Sequence, residues 1–146
     1  TSLPSEIRML TSLNHLDFDG NSISLLFIYS LPSEIGMMTS LVDLACLDEN
    51  SITSLPSEIG MLTSLNHLDL GTNNIASLPS EIRMLTSLVD LYLFENSITS
   101  LPSEIRMLTS LTSLALYDNS ITSLPGEIGM LTSLTFIYVS NWMMAG

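Results

Sequence analysis

The tripeptide Ser-Leu-Pro constrains this chain more than any other feature, because its proline recurs at positions 4, 32, 56, 79, 102 and 125. The last three intervals are 23 residues each, and the units from position 65 onward share the frame L-x-x-L-x-L-x-x-N-x-I-x-x-L-P-x-E-I-x-x-L-x-x. A unit this short cannot bury its own leucines, so successive units must stack and share a core. The repeat therefore predicts one domain over 1–146, made of about six stacked turns.

Each unit carries two structural signals on opposite sides of the predicted turn. The L-x-L segment predicts a short strand, parallel to the strands of the neighbouring turns. The segment P-S-E-I-R-M-L predicts a short helix or 3₁₀ segment, because proline lacks a donor that a first helical turn does not use and a carboxylate is favoured at the positive end.

The frame resembles the leucine-rich repeat family, in its 23-residue "LPxxI" form found in intracellular Ras-group proteins. The resemblance covers essentially the whole chain and implies an α/β solenoid. In this fold a parallel β-sheet forms the concave face of a curved array, and short helical or 3₁₀ segments form the convex face. The resemblance also implies that the asparagines after each strand form a ladder that satisfies buried backbone groups, a task suited to an amide. These asparagines are Asn21, Asn50, Asn73, Asn96 and Asn119.

The composition narrows the classes of function that we expect of this chain. Fifteen acidic residues face only three arginines, Arg8, Arg83 and Arg106, which gives a formal net charge of −12. This argues against nucleic-acid binding, which depends on cations that contact phosphates, and favours basic or neutral partners. No catalytic motif is present, so we expect a protein that is not an enzyme and needs no cofactor.

The location of the chain is predicted from its cysteine and its apolar runs. The single cysteine, Cys46, excludes an internal disulfide framework and is compatible with a reducing compartment. We therefore expect a cytoplasmic protein, with the extracellular part of a larger protein as the alternative. No apolar run approaches the roughly 20 residues that span a bilayer, so no membrane insertion is expected.

The ends of the array lack a visible polar cap, and Trp142 stands in the asparagine column, so we expect a fragment of a longer array.

Two units depart from the period. The first carries an apolar insertion of five residues at 25–29, and the second carries one extra residue between Leu44 and Asn50. Loops tolerate added length at little cost, so both are interpreted as tolerated insertions.

The strand positions between the leucines vary from unit to unit, whereas the rest of the frame is nearly constant. In a stack these positions form columns on the concave face, acidic in the first turns and aromatic in the last. We predict a non-catalytic scaffold that binds a protein or peptide there, with basic groups meeting the aspartates and apolar groups meeting the rings. The predicted contacts are Asp17, Asp43, Asp69, Asp90, Tyr92, Phe94, Tyr117, Phe136 and Tyr138. Tyr92 and Phe94, where the two halves meet, are the first positions to mutate.

Several alternatives stay open. The rings could serve only to stabilise the sheet by cross-strand stacking, and the chain could be the ligand-binding segment of a larger receptor or receptor-like kinase, or an array without a partner. His15, Asp17, Asp19 and Asp43 could hold a metal ion on the first turns. A column of methionines on the convex side is predicted to pack between repeats, with an exposed apolar stripe as its alternative. These are Met9, Met37, Met61, Met84, Met107 and Met130.

Overall fold

In the described part of the chain, six short strands form a single parallel sheet in chain order. The computed structural model describes residues 3–17, 29–45 and 50–139. The strands are β1 (His15–Asp17), β2 (Asp43–Ala45), β3 (His67–Asp69), β4 (Asp90–Tyr92), β5 (Ser113–Ala115) and β6 (Phe136–Tyr138). Their register aligns the repeat units position by position, for example His15 with Asp43 and Asp43 with His67. The predicted parallel strands and their columns are confirmed.

The central leucine of each strand points into one continuous core. Leu44, Leu68, Leu91 and Leu114 are all at most 1% exposed, and a fully buried side chain of this kind stabilises the fold by about 1.5–3 kcal/mol. In β6 the equivalent Ile137 is 43% exposed, and within the described ranges β6 pairs only with β5. The core is therefore built by contacts between neighbouring turns, as the short repeat requires.

A 3₁₀ segment lies opposite the sheet in every turn, as predicted. Its isoleucine N–H donates to the carbonyl of the proline, for example from Ile82 to Pro79 at 3.1 Å. The proline is extended and lies at the N-cap position, directly before the 3₁₀ segment. The segments are Ser5–Met9, Ser33–Met37, Ser57–Met61, Ser80–Met84, Ser103–Met107 and Gly126–Met130.

The predicted packing of the methionine column between repeats is wrong. Its six side chains are 43–75% exposed. A 3₁₀ helix has three residues per turn, so Ile82 and Leu85 share the side that faces the core. Met84 then falls on the solvent side. The exposed stripe, the alternative interpretation, is what the structure shows.

The turns after β3, β4 and β5 are held by the side chains of Asn73, Asn96 and Asn119. Asn96 Oδ1 accepts the Ile75 N–H at 2.8 Å, and its Nδ2 donates to the carbonyls of Leu70, Leu93 and Phe94 at 2.9–3.2 Å. Asn119 repeats this set one turn later, with Oδ1 2.9 Å from the Ile98 nitrogen. Each amide thus satisfies backbone groups of its own turn and of the preceding one.

A left-handed residue comes directly before each of these asparagines. Thr72, Glu95 and Asp118 have φ of 51°, 49° and 55°. This conformation is unfavourable for residues other than glycine, asparagine and aspartate, so the turn carries local strain at Thr72 and Glu95.

Some of the sequence predictions fall on residues outside the described ranges. These are Asp19, Asn21, Cys46, Trp142, the extra residue before Asn50 and most of the 25–29 insertion. The last residue of the insertion, Tyr29, is described and is 53% exposed. Asn50 is half-buried.

Candidate functional site

The face of the sheet that points away from the leucine core, here called the open sheet face, has a groove over its last three strands. Residues on β4, β5 and β6 pair in two rows across the strands. The rows are Asp90, Ser113 and Phe136, then Tyr92, Ala115 and Tyr138. In each row a small residue of β5 lies between two larger ones, so β5 forms the floor and its neighbours form the walls.

The floor of the groove is covered by its walls. Ser113 and Ala115 are only 9% and 5% exposed, although both lie on the open sheet face. The space above them has a volume of about 500 Å³, within the range typical of ligand sites. Its lining residues are Asp90, Tyr92, Phe94, Thr112, Ser113, Ala115, Tyr117, Phe136 and Tyr138. A second cavity, beside Asn119 and Leu124, measures about 10 Å³ and has room for at most one water molecule.

One end of the groove is closed by a stacked pair of rings. The centroids of Phe94 and Tyr117 are 4.9 Å apart, with planes 6° from parallel. Phe94 also lies directly over Gly71, where an added Cβ would overlap the ring and lie 2.5 Å from its Cε2. Both rings are half-buried. Rings stacked this closely leave no room for another group between them, so the pair helps to hold the shape of the groove. This agrees with the alternative in which these two rings stabilise the sheet by cross-strand stacking.

The wall that β6 forms is much more open than this end. Phe136 and Tyr138 are 57% and 53% exposed, and their rings are parallel within 6° at a centroid distance of 6.4 Å. A large ring can bury about 150–250 Å², so much apolar surface stays in water at this wall. Exposed aromatic surface of this kind is typical of binding sites.

The acidic half of the open sheet face contains two imidazole–carboxylate contacts. His15 Nδ1 lies 3.4 Å from Asp43 Oδ2, and His67 Nδ1 lies 2.6 Å from Asp90 Oδ2. The second contact joins the acidic half to the groove, because Asp90 also lines the groove.

Another carboxylate of the acidic half makes a structural contact. Asp69 Oδ1 accepts the backbone N–H of Gly71 at 2.9 Å, which holds the turn beneath Phe94.

The predicted metal site is only partly described. Of the candidate ligands His15, Asp17, Asp19 and Asp43, Asp19 lies outside the described ranges. Within those ranges no three histidine, cysteine, aspartate or glutamate side chains are grouped to hold a metal ion.

The structure brings six of the nine predicted contact residues together. Asp90 and all five aromatic residues line the groove, whereas Asp17, Asp43 and Asp69 lie on β1, β2 and β3 outside it. Sequence reasoning missed the floor, Ser113 and Ala115, and the supporting role of Gly71. The signal for the floor was present, since two small residues stand in columns between aromatic ones.

The family of the chain follows from this geometry together with a sequence match. A family model described as leucine rich repeat matches residues 46–98. The chain belongs to the leucine-rich repeat family. No curated protein matches it significantly in sequence.

Three solved structures resemble the chain. A leucine-rich repeat protein of Leptospira interrogans is 39% identical, with a TM-score of 0.86. The leucine-rich repeat ectodomain of the plant membrane receptor kinase GASSHO1/SCHENGEN3 from Arabidopsis thaliana, solved in complex with CASPARIAN STRIP INTEGRITY FACTOR 2, is 36% identical, with a TM-score of 0.81. Internalin C2 from Listeria monocytogenes is 25% identical, with a TM-score of 0.78.

The chain corresponds to a part of each of these proteins. Each match covers 94% of this chain but only 33% of the Leptospira protein, 17% of the plant ectodomain and 56% of internalin C2. In the described ranges of this leucine-rich repeat array, no helix is long and apolar enough to cross a membrane.

Proposed function

We propose that this leucine-rich repeat array is a non-catalytic scaffold whose open sheet face binds a protein or peptide, with the groove over β5 as its centre. The observation that carries the proposal is the wall of Phe136 and Tyr138, which are 57% and 53% exposed beside a 500 Å³ groove. Aromatic side chains that stay half-exposed gain little stability in the free protein, and they are enriched among residues that dominate binding energy.

The acidic composition sets the chemistry of the partner. The chain has a formal net charge of −12. Four of its aspartates lie on neighbouring strands of the one sheet, namely Asp17, Asp43, Asp69 and Asp90. Complementary charge speeds encounter and selects partners, so the partner carries basic groups beside apolar groups that contact the aromatic side chains.

Of a receptor's role, the proposal includes only the binding of a ligand. The plant ectodomain that resembles this chain is, by its description, part of a membrane receptor kinase and in a complex, which supports binding as the activity of the fold. A cytoplasmic location and the Ras-group subtype stay predictions, because the similar structures include an ectodomain and bacterial proteins.

Selection from a random peptide library displayed on phage tests the proposal. Peptides enriched on the full chain should bind at least roughly tenfold more weakly to the double variant Phe136→Ser with Tyr138→Ser, since the loss of two anchors typically costs more than about 1.4 kcal/mol. These two positions serve better than Tyr92 and Phe94, because Phe94 is stacked and half-buried and its loss would also weaken the fold.

The matched control removes apolar side chains of similar exposure from the opposite side. Met84 and Met107 are 47% and 43% exposed, and their double replacement by serine should leave peptide affinity unchanged. Peptides that bind both variants as well as the parent chain, or that lose affinity only for the methionine variant, would place binding elsewhere and reject the proposal.

A further inference from the structure

The shape and charge of the groove point to a more specific occupant. Building on the proposed function, we propose that the groove receives one arginine side chain of the partner, with its guanidinium between Tyr92 and Tyr138 and directed towards Asp90. The arginine would thus lie above Ala115, which pairs with both tyrosines in the sheet register.

The width of the groove suits a single flat cation. Adjacent parallel strands lie about 4.8 Å apart, so a group centred above Ala115 is about that distance from the strand on either side. Both of these strands place a tyrosine in the lining of the groove, and a cation is attracted to the face of an aromatic ring. The stacked rings of Phe94 and Tyr117 close the groove at one end, so the cation is directed to the other end.

A carboxylate stands at that other end. Asp90 lines the groove, and its side chain is only 21% exposed. His67 Nδ1 lies against one of its oxygens at 2.6 Å, but a carboxylate offers about four acceptor sites, which leaves acceptors for a guanidinium. An apolar occupant would remove water from Asp90 and supply no hydrogen bond, which is unfavourable.

The chain offers no arginine or lysine of its own at this place. The chain has no lysine, and its three arginines, Arg8, Arg83 and Arg106, lie in 3₁₀ segments on the opposite side. Arginine fits better than lysine, because its planar group stacks on rings and bonds a carboxylate at two points, whereas an ammonium is a compact and strongly hydrated charge.

An NMR titration of the full chain with N-acetyl-arginine amide tests this assignment. The backbone amide signals of Ser113 and Ala115 should shift and saturate. N-acetyl-citrulline amide has nearly the same shape without the charge, and it should bind at least roughly tenfold more weakly, because the attraction to the rings and to Asp90 is electrostatic.

A pair of tyrosine variants supplies the matched control. Tyr138→Leu keeps apolar bulk but removes a ring of the proposed site, and it should weaken arginine binding by about fivefold or more. Tyr29 has the same exposure, 53%, and does not line the groove, so Tyr29→Leu should leave binding unchanged. The amide spectra also show directly whether each variant is folded.

The outcomes separate this inference from the proposed function. Equal binding of the arginine and citrulline probes, or arginine shifts that are spread over β1 to β3 without saturation, would overturn the arginine assignment. If library peptides bind in the groove but contain no arginine, the scaffold proposal stands and the arginine assignment fails. Saturable, charge-dependent binding that requires Tyr138 supports the assignment.

Discussion

The contact between Gly71 and Phe94 leads to a quantitative prediction about what holds the groove in shape. Replacement of Gly71 by alanine places a Cβ 2.5 Å from Cε2 of Phe94, whereas carbon atoms prefer a separation of about 3.5–4.0 Å. The ring must therefore move by about 1 Å or more, away from its stacked position on Tyr117.

The expected costs follow from the two contacts that change. Overpacking typically costs about 1–3 kcal/mol, and loss of a stacked aromatic pair costs about 0.5–1.5 kcal/mol. Gly71→Ala should thus lower the free energy of unfolding by about 2–3 kcal/mol. Phe94→Ala should cost about 2 kcal/mol, because the ring is half-buried and a fully buried phenylalanine costs about 3–5 kcal/mol.

The decisive measurement is the double variant. Without the Phe94 ring the methyl group has room, so Gly71→Ala in the Phe94→Ala background should cost nearly nothing, or stabilise by about 0.4–1 kcal/mol through the unfolded chain. The coupling energy is then about 2–4 kcal/mol, well above the roughly 0.3–0.5 kcal/mol expected of independent sites.

Urea unfolding followed by circular dichroism gives the four free energies. Gly129→Ala is the control for the glycine change alone, because an added Cβ there meets no atom within 4 Å, and it should be neutral or slightly stabilising. If Gly71→Ala costs the same with and without the Phe94 ring, the argument from this contact is refuted.

Two further predictions concern the turn that follows each strand. Asn96→Ala leaves the Ile75 N–H without its acceptor and removes a donor from three carbonyls, so it should lower the free energy of unfolding by about 2–4 kcal/mol. The exposed Asn74 is its control, since Asn74→Ala should change stability by less than about 0.5 kcal/mol; equal losses at both sites would contradict the proposed role of the ladder. Glu95 has a φ of 49°, so Glu95→Asn should raise the free energy of unfolding by roughly 0.5–1 kcal/mol, because asparagine adopts this conformation more readily. Glu95→Gln removes the same charge without that benefit, and a gain of the same size from glutamine would point to charge as the cause.

The repeat frame predicted the strands and their alignment, because a period of 23 residues with leucines at fixed places admits one register. It therefore also predicted which residues share a column, such as Tyr92, Ala115 and Tyr138. The exposed methionines were mispredicted, because the three-residue turn of the 3₁₀ segment decides which side they face, and the sequence left helix and 3₁₀ segment both open.

The groove itself could not be predicted from columns alone. Whether Ser113 and Ala115 are open or covered depends on how far the neighbouring rings lean over them, and this depends on side-chain conformations that the repeat does not specify. The stack of Phe94 on Tyr117 similarly depends on the absence of a side chain at Gly71 in the preceding turn. Such dependence between turns is visible only when the turns are placed side by side.

The regular connection of the turns also bears on how such a surface changes over generations. Neighbouring turns pair through equivalent atoms, with Leu68, Leu91 and Leu114 in line, so a copied 23-residue cassette could be spliced in without disturbing the pairing on either side. A second copy of the β5 turn would double the width of the floor between Tyr92 and Tyr138. One duplication in the gene would then convert a slot for a single side chain into a shelf wide enough for a backbone, and the partner could change in a single step.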